Sequence, residues 1–436
     1  MATLLSDALH TTKGDSGRWL VLTSCFFAKM FAQGIRKCLG VLLPTLQRQF
    51  DSEIWLLGSI VAMVCAIGDF LGPIIGAFAR RFSCRAMAMT GGALMCLGMA
   101  LASQMDNVFH LATCLMIFCG PGLGLINDTP FAILAMYFNR NYGLANAFAF
   151  LGSSAALILF STLTQILNEL YGWSGALLLL ASIFFHMTMF GALLKAPENE
   201  TSEAFGYGSI RELPNSDDKQ NKTTSSTCTK CFSATLDSLH LPIFKEPILY
   251  MIIVVTSTVR FTHMGWVIYL VPNVENKGIA PLYATLVAAV GGVGDAVGKI
   301  IPVVILWKEL LNSSALWICG MTILSVSLIL DFTVTSSFTG MLVLGFVQGL
   351  GLGISHSLNN VVLQDVFGTE RLVNVMGWTR FFSGMARVLG GFVVGWIYSS
   401  SGHYSYGFVT LGCVQGLGML VLVIGRRFIT EQKNTR

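Results

Sequence analysis

Apolar runs of about twenty residues or more, separated by short polar breaks, recur along the whole chain. A helix that crosses a bilayer needs about 20 consecutive apolar residues. On that measure the pattern predicts spans at about 18–44, 54–79, 86–104, 108–137, 142–168 and 173–194. A polar stretch from Lys195 to about Glu246, rich in Ser, Thr, Asn, Asp and Lys, has linker composition. Apolar runs then resume at about 247–272, 281–307, 314–332, 337–367, 371–398 and 404–425, before a basic tail to Arg436. The expectation is an all-α polytopic membrane protein with twelve transmembrane helices in two pseudo-symmetric six-helix halves. Its predicted parts are a tail (1–17), a first half (18–194), a linker (195–246), a second half (247–425) and a short C-terminal tail (426–436).

The halves share sequence. Val61–Gly76 reads VAMVCAIGDFLGPIIG, and Val287–Pro302 reads VAAVGGVGDAVGKIIP. Asp69 matches Asp295, whereas Pro73 stands where the second copy has Lys299. Asp295 and Lys299 are i and i+4, so on a helix they share a face. In hydrocarbon each would cost roughly 2.5–3.5 kcal/mol on an insertion scale, so both are expected to face the protein interior or a water-filled path. The glycine run Gly122-Leu123-Gly124-Leu125 has a partner in Gly349-Leu350-Gly351-Leu352, and Leu144-Ala145-Asn146 has one in Leu372-Val373-Asn374.

Composition sharpens the class. Of 436 residues, 54% are hydrophobic and only 11% charged, with a mean hydropathy of +0.68; soluble proteins carry about 25% charged residues. The net charge of +4 serves topology and implies no nucleic-acid partner. With both termini in the cytoplasm, nearly all Lys and Arg outside the spans fall on that side, leaving Arg48 and Lys277 outside. No cleavable signal peptide is expected, because the apolar run from Trp19 is too long and lacks a cleavage-like end. The cysteines inside apolar runs read as small packing residues. Cys228 and Cys231 form a C-x-x-C with no second pair nearby, so free thiols and no metal site are expected. The absence of H-E-x-x-H, G-x-S-x-G and P-loop motifs argues against an enzyme, and no cofactor is expected.

Two motifs and the ion pair resemble the monocarboxylate transporter family of the major facilitator superfamily. Asp15-Ser16-Gly17-Arg18-Trp19 is a worn form of the motif that opens span 1 in that family. Tyr137-Phe138-Asn139-Arg140-Asn141-Tyr142-Gly143-Leu144-Ala145-Asn146-Ala147-Phe148-Ala149 is similar to its Tyr-Phe-x-Arg-Arg-x-x-Leu-Ala-x-Gly-x-Ala signature before span 5. The resemblance implies the major facilitator fold, with a substrate site near the midplane between parallel halves. It implies a substrate- and proton-engaging lysine at Lys37 and a proton-coupling aspartate at Asp295. The family's carboxylate-binding arginine falls on Lys299, and its size-limiting aromatic residue of span 10 falls on Asn360. Lysine lacks the bidentate fork of arginine and Asn360 offers both donors and acceptors, departures that favour a larger or more polar substrate. The loop Gly76–Arg85 lacks the superfamily's acidic residue. A basigin-like single-span glycoprotein chaperone and the plasma membrane are further implications.

Other intramembrane polar groups are candidates too. Arg36 and Lys37 point about 100° apart, so at most one of them faces a cavity squarely; Lys37 is the expected one, the alternative being that both snorkel to the outer interface. Lys29 is expected either in a structural ion pair, with Asp69 as the candidate partner, or in transport. Arg260 and His263, i and i+3, are secondary candidates, His263 as a proton relay. Of Arg380 and Arg387, the deeper Arg387 is favoured as a counter-charge for Asp295 or for substrate. Asp128, His356, Asn359 and Asn360 follow the glycine runs and are expected to line the cavity. The leading expectation is a secondary transporter for a small monocarboxylate or related organic anion, with proton coupling through Lys37 and Asp295. The alternatives are an uncoupled facilitator for a larger polar or zwitterionic metabolite (creatine, carnitine or amino-acid like) and a non-transporting sensor or scaffold.

Overall fold

The computed structural model describes residues 15–72, 74, 75, 83–138, 142–194, 244, 246–308, 310–334 and 337–434. It is all-helical, with no strand among those residues. Helices α1 (Asp15–Phe50), α2 (Ile54–Phe70) and α3 (Cys84–Ala102) are followed by α4 (Val108–Cys114). A π-helical segment, Leu115–Cys119, joins α4 to α5 (Gly120–Tyr137), and α6 runs Tyr142–Ala192. The second set is α7 (Pro247–Asn276), α8 (Pro281–Trp307), α9 (Ser313–Ile329), α10 (Phe338–Ser401) and α11 (Tyr404–Asn434). Nearly all of the proposed linker, with Cys228 and Cys231, lies outside the described residues, as does most of the Gly76–Arg85 loop.

Among the described residues, nine segments are long and apolar enough to cross a membrane. One of them, Ala145–Ala192, is about twice the length a span needs. It changes direction at Gly172, whose φ of 69° is open to a residue without Cβ. That break falls between the spans predicted at 142–168 and 173–194. Within α10, Phe338–Phe367 and Val375–Ser401 are two separate apolar windows. Helix α1, which carries Lys29, Arg36 and Lys37, is not among the nine.

Packing explains the repeated glycines. Gly124 of α5 lies against Gly68 of α2, and Gly353 of α10 lies against the Asp295 carbonyl of α8. A Cβ at either position would strike a neighbouring backbone, so the missing side chain sets the helix spacing. The most extensive contacts between the first set of helices and the second, among the described residues, are α2 with the second window of α10, α6 with α8, and α1 with α7.

One end of the bundle is sealed by these contacts. Gly40 of α1 abuts the backbone of Ile268 on α7. Tyr269 reaches between α2 and α10, where its hydroxyl donates to the Gly391 carbonyl at 2.7 Å. Gly58, on α2, is where that ring fits. The same end is tied by Lys277, which donates at 2.8 Å to Asp331, itself accepting from Asn273. Below the seal, towards the N-terminal end of α1, the packing opens into a central cavity.

Candidate functional site: a cationic cavity between the helix sets

Helix periodicity places the cavity wall. Lys29, Ala32, Gln33 and Arg36 of α1 form an i, i+3, i+4, i+7 stripe and all line the cavity. Leu352, His356 and Asn360 repeat every four residues on α10, and Asp295 and Lys299 do so on α8. Phe150, Ser153 and Leu157 contribute from α6; Arg260, His263 and Trp266 from α7. Asn127 of α5 and Arg380 of α10 complete the wall. Its free volume is about 30 Å³, on a scale where one water needs about 10–15 Å³. Side chains fill most of the space between the helix sets in this conformation.

Charge is lopsided. Among the described lining residues five are cationic (Lys29, Arg36, Arg260, Lys299 and Arg380) and one, Asp295, is a carboxylate. Lys299 is fully engaged. Its ammonium contacts Asp295 Oδ2 at 2.5 Å, Ser153 Oγ at 2.6 Å and Ser154 Oγ at 3.0 Å. An ammonium has three N–H donors, so these three acceptors satisfy it. Ser154 in turn donates to Asp295 Oδ2 at 2.6 Å. The i,i+4 pair expected on one face of α8 is thus present, and two α6 hydroxyls clasp it from the other helix set.

Lys29 Nζ donates to Asn127 Oδ1 at 2.6 Å and stands 4.7 Å from the centroid of the Phe150 ring. Asp69, the expected partner of Lys29, instead lies 2.9 Å from Arg387 Nη1, joining α2 to α10. Burial forces that choice: both side chains are almost wholly excluded from solvent, so each takes the opposite charge that packing brings nearest. Arg387 and Asp69 therefore form an inter-helix pair outside the cavity wall.

A polar chain crosses the cavity. Arg36 Nη1 donates to Gln33 Oε1 at 2.9 Å, and Gln33 Nε2 is 3.5 Å from His263 Nε2. The His263 ring stacks on His356 at 5.3 Å, and Arg260 Nη1 donates to His356 Nε2 at 3.0 Å. Trp266 is held at the top by a 2.8 Å hydrogen bond to Gln348.

The expected residues divide into two groups. Asp295, Lys299, Asn360, His356, Arg260 and His263 converge on the cavity. Lys37 does not line it: fully buried, it donates to the Val267 carbonyl at 3.4 Å within the seal. The stripe on α1 presents Arg36 instead, and the neighbouring residue is turned about 100° away. Asn359 lies behind the wall, accepting from Thr256 at 2.9 Å and donating to Asn360 at 3.3 Å. The side chain of Asp128 is outside the described residues. Gln33, Ser153 and Ser154 were not anticipated. A visible signal exists for each: Gln33 lies on the Lys29–Arg36 stripe, and Gly152-Ser153-Ser154 is a polar break in an apolar run. No group of metal-ligating side chains occurs among the described residues.

Comparison with known proteins agrees with this architecture. The family model described as Major Facilitator Superfamily matches residues 25–307 and 301–435. Monocarboxylate transporter 13 of Rattus norvegicus is 26% identical over 425 residues, covering 95% of this chain and 91% of the relative. Monocarboxylate transporter 6 of Mus musculus is 26% identical over 93% of this chain and 86% of its own length. Monocarboxylate transporter 2 of Homo sapiens is 24% identical over 96% and 87% respectively. The chain belongs to the major facilitator superfamily, and the monocarboxylate transporters are its relatives there.

Proposed function

We propose that this protein is a secondary transporter that carries a small organic anion through the central cavity by alternating access. The observation that carries the proposal is the cavity itself, which lies between the two helix sets with five cationic side chains against one carboxylate. Such a wall attracts anions and disfavours cations. The names of the relatives make a carboxylate the first substrate class to test.

Proton coupling in this proposal runs through Asp295. Deprotonated, it holds Lys299 together with Ser153 and Ser154, so the contact between α6 and α8 is tight. Protonation removes the charge that Lys299 answers, weakens the clasp and allows the helix sets to separate. Lys37, buried in the seal, takes a role in opening and closing that end rather than in gripping substrate. The proposal includes twelve spans, cytoplasmic termini, residence in the plasma membrane and a basigin-like chaperone.

One observation favours a second reading. Lys299 has every donor satisfied by protein groups, as a fixed structural pair would. In that reading the protein is an uncoupled facilitator, and Asn360 helps to select a larger polar or zwitterionic metabolite. Uptake of labelled lactate, pyruvate, creatine and carnitine into cells expressing the protein, at acidic and neutral outside pH, separates the two. Uptake that rises with acidity supports symport. Uptake indifferent to pH supports the facilitator. No uptake by protein present at the surface removes both and leaves a sensor or scaffold.

A further inference from the structure

Arg36 and Arg260 differ from Lys299 and Arg387, the two deeply placed cations that hold carboxylate partners. Lys299 is paired with Asp295 and Arg387 with Asp69. Arg36 has only the neutral amide of Gln33, and its Nε is buried with no hydrogen-bond partner. Arg260 has only His356 Nε2, a nitrogen that accepts when the imidazole is neutral. Neither guanidinium has a carboxylate within ion-pair distance among the described residues. They come from different helix sets, α1 and α7, and line one cavity.

We infer that the cavity takes a dianionic substrate of the dicarboxylate class, one carboxylate held by Arg36 and the other by Arg260. The inference rests on the anion-transport reading above and narrows it. A single carboxylate leaves one buried guanidinium without a counter-charge, which a low-dielectric site penalises. A zwitterion brings a positive group against one of them. Two carboxylates neutralise both, each with the planar fork geometry that suits guanidinium. The polar chain through Gln33, His263 and His356 joins the two arginines, and the imidazoles are stacked at 5.3 Å. Because each arginine belongs to a different helix set, a dianion also draws the two sets together, which a monoanion does not.

The test compares malonate, succinate and glutarate with propionate and butyrate, using thermal stabilisation of the purified full-length protein and uptake into proteoliposomes. Dicarboxylates are expected to bind at least about tenfold more tightly, the worth of one further charge-assisted contact. Arg36→Gln and Arg260→Gln are each expected to lower dicarboxylate affinity by about tenfold or more and monocarboxylate affinity by a smaller factor. Monocarboxylates binding the unmodified protein as tightly as dicarboxylates overturns the inference and leaves anion transport standing; that comparison needs no variant to fold. Loss of both classes alike in cooperatively melting variants overturns it as well. If a cooperatively melting unmodified protein binds and moves neither class, the anion-transport reading fails and the inference with it.

Discussion

Ser154 and Asp295, on helices from opposite halves of the chain, are joined by a 2.6 Å hydrogen bond, and both also contact Lys299. Asp69, the repeat counterpart of Asp295, likewise reaches across the interface, to Arg387. Each copy of the repeated aspartate therefore ties its own helix set to the other. The two ties differ in kind: one is a direct ion pair between α2 and α10, the other an ion pair within α8 clasped by hydroxyls of α6.

Removing the clasp weakens the α6–α8 contact without deleting a charge. Ser153→Ala/Ser154→Ala leaves Lys299 with one of its three acceptors, at a cost of about 1–3 kcal/mol for the buried donors left unmet. The double variant is expected to melt at lower temperature than the unmodified protein, and Ser→Thr at both positions, which keeps the hydroxyls, is expected to restore part of the loss. Equal melting of the Ala and Thr variants sinks the assignment.

Asp295→Asn removes the proposed protonation site and leaves a side chain of the same shape. In the proposed coupling, protonation of Asp295 loosens the clasp, so uptake in the unmodified protein is expected to rise as outside pH falls. The variant is expected to reach the surface yet lose that pH dependence. Pulse uptake at acidic and neutral pH, normalised to surface protein, measures it; an unchanged pH response removes Asp295 from coupling.

Asp69→Asn leaves Arg387 as an uncompensated buried charge. Breaking such a pair costs about 3–5 kcal/mol, so reduced surface abundance and a lower melting temperature are expected. In Asp69→Asn/Arg387→Gln no lone charge remains, and stability is expected to recover in large part. A double variant as unstable as the single one argues that packing, not charge, governs this contact.

Gly58→Ala places a methyl group where the Tyr269 hydroxyl sits. Overpacking of this kind costs about 1–3 kcal/mol, and here it falls only on the conformation in which α2, α7 and α10 are sealed together. Transport is expected to fall severalfold with expression intact, and an added thiol reagent should reach a cavity cysteine introduced as Ser153→Cys more readily from the sealed end. Gly377→Ala, where a Cβ meets nothing within 4 Å, serves as the control and is expected to behave as the unmodified protein. Equal behaviour of the two alanine variants counts against the seal.

Hydropathy, the internal repeat and the four-residue spacing of Asp295 and Lys299 were legible in the chain because they are local. Bilayer thickness sets the length of each apolar run, and helix pitch sets which residues of one helix share a face. The α1 stripe of Lys29, Gln33 and Arg36 was open to the same reading, and it favours Arg36 over Lys37. Which way that stripe points was decided only by tertiary packing, since pitch relates residues on one helix and says nothing of its rotation against its neighbours. The same holds for the pairing of Asp69 with Arg387 and for the serine clasp on Lys299. Their partners lie far apart in sequence, and a buried charge takes whichever counter-charge or hydroxyl the folded helices bring within hydrogen-bond reach.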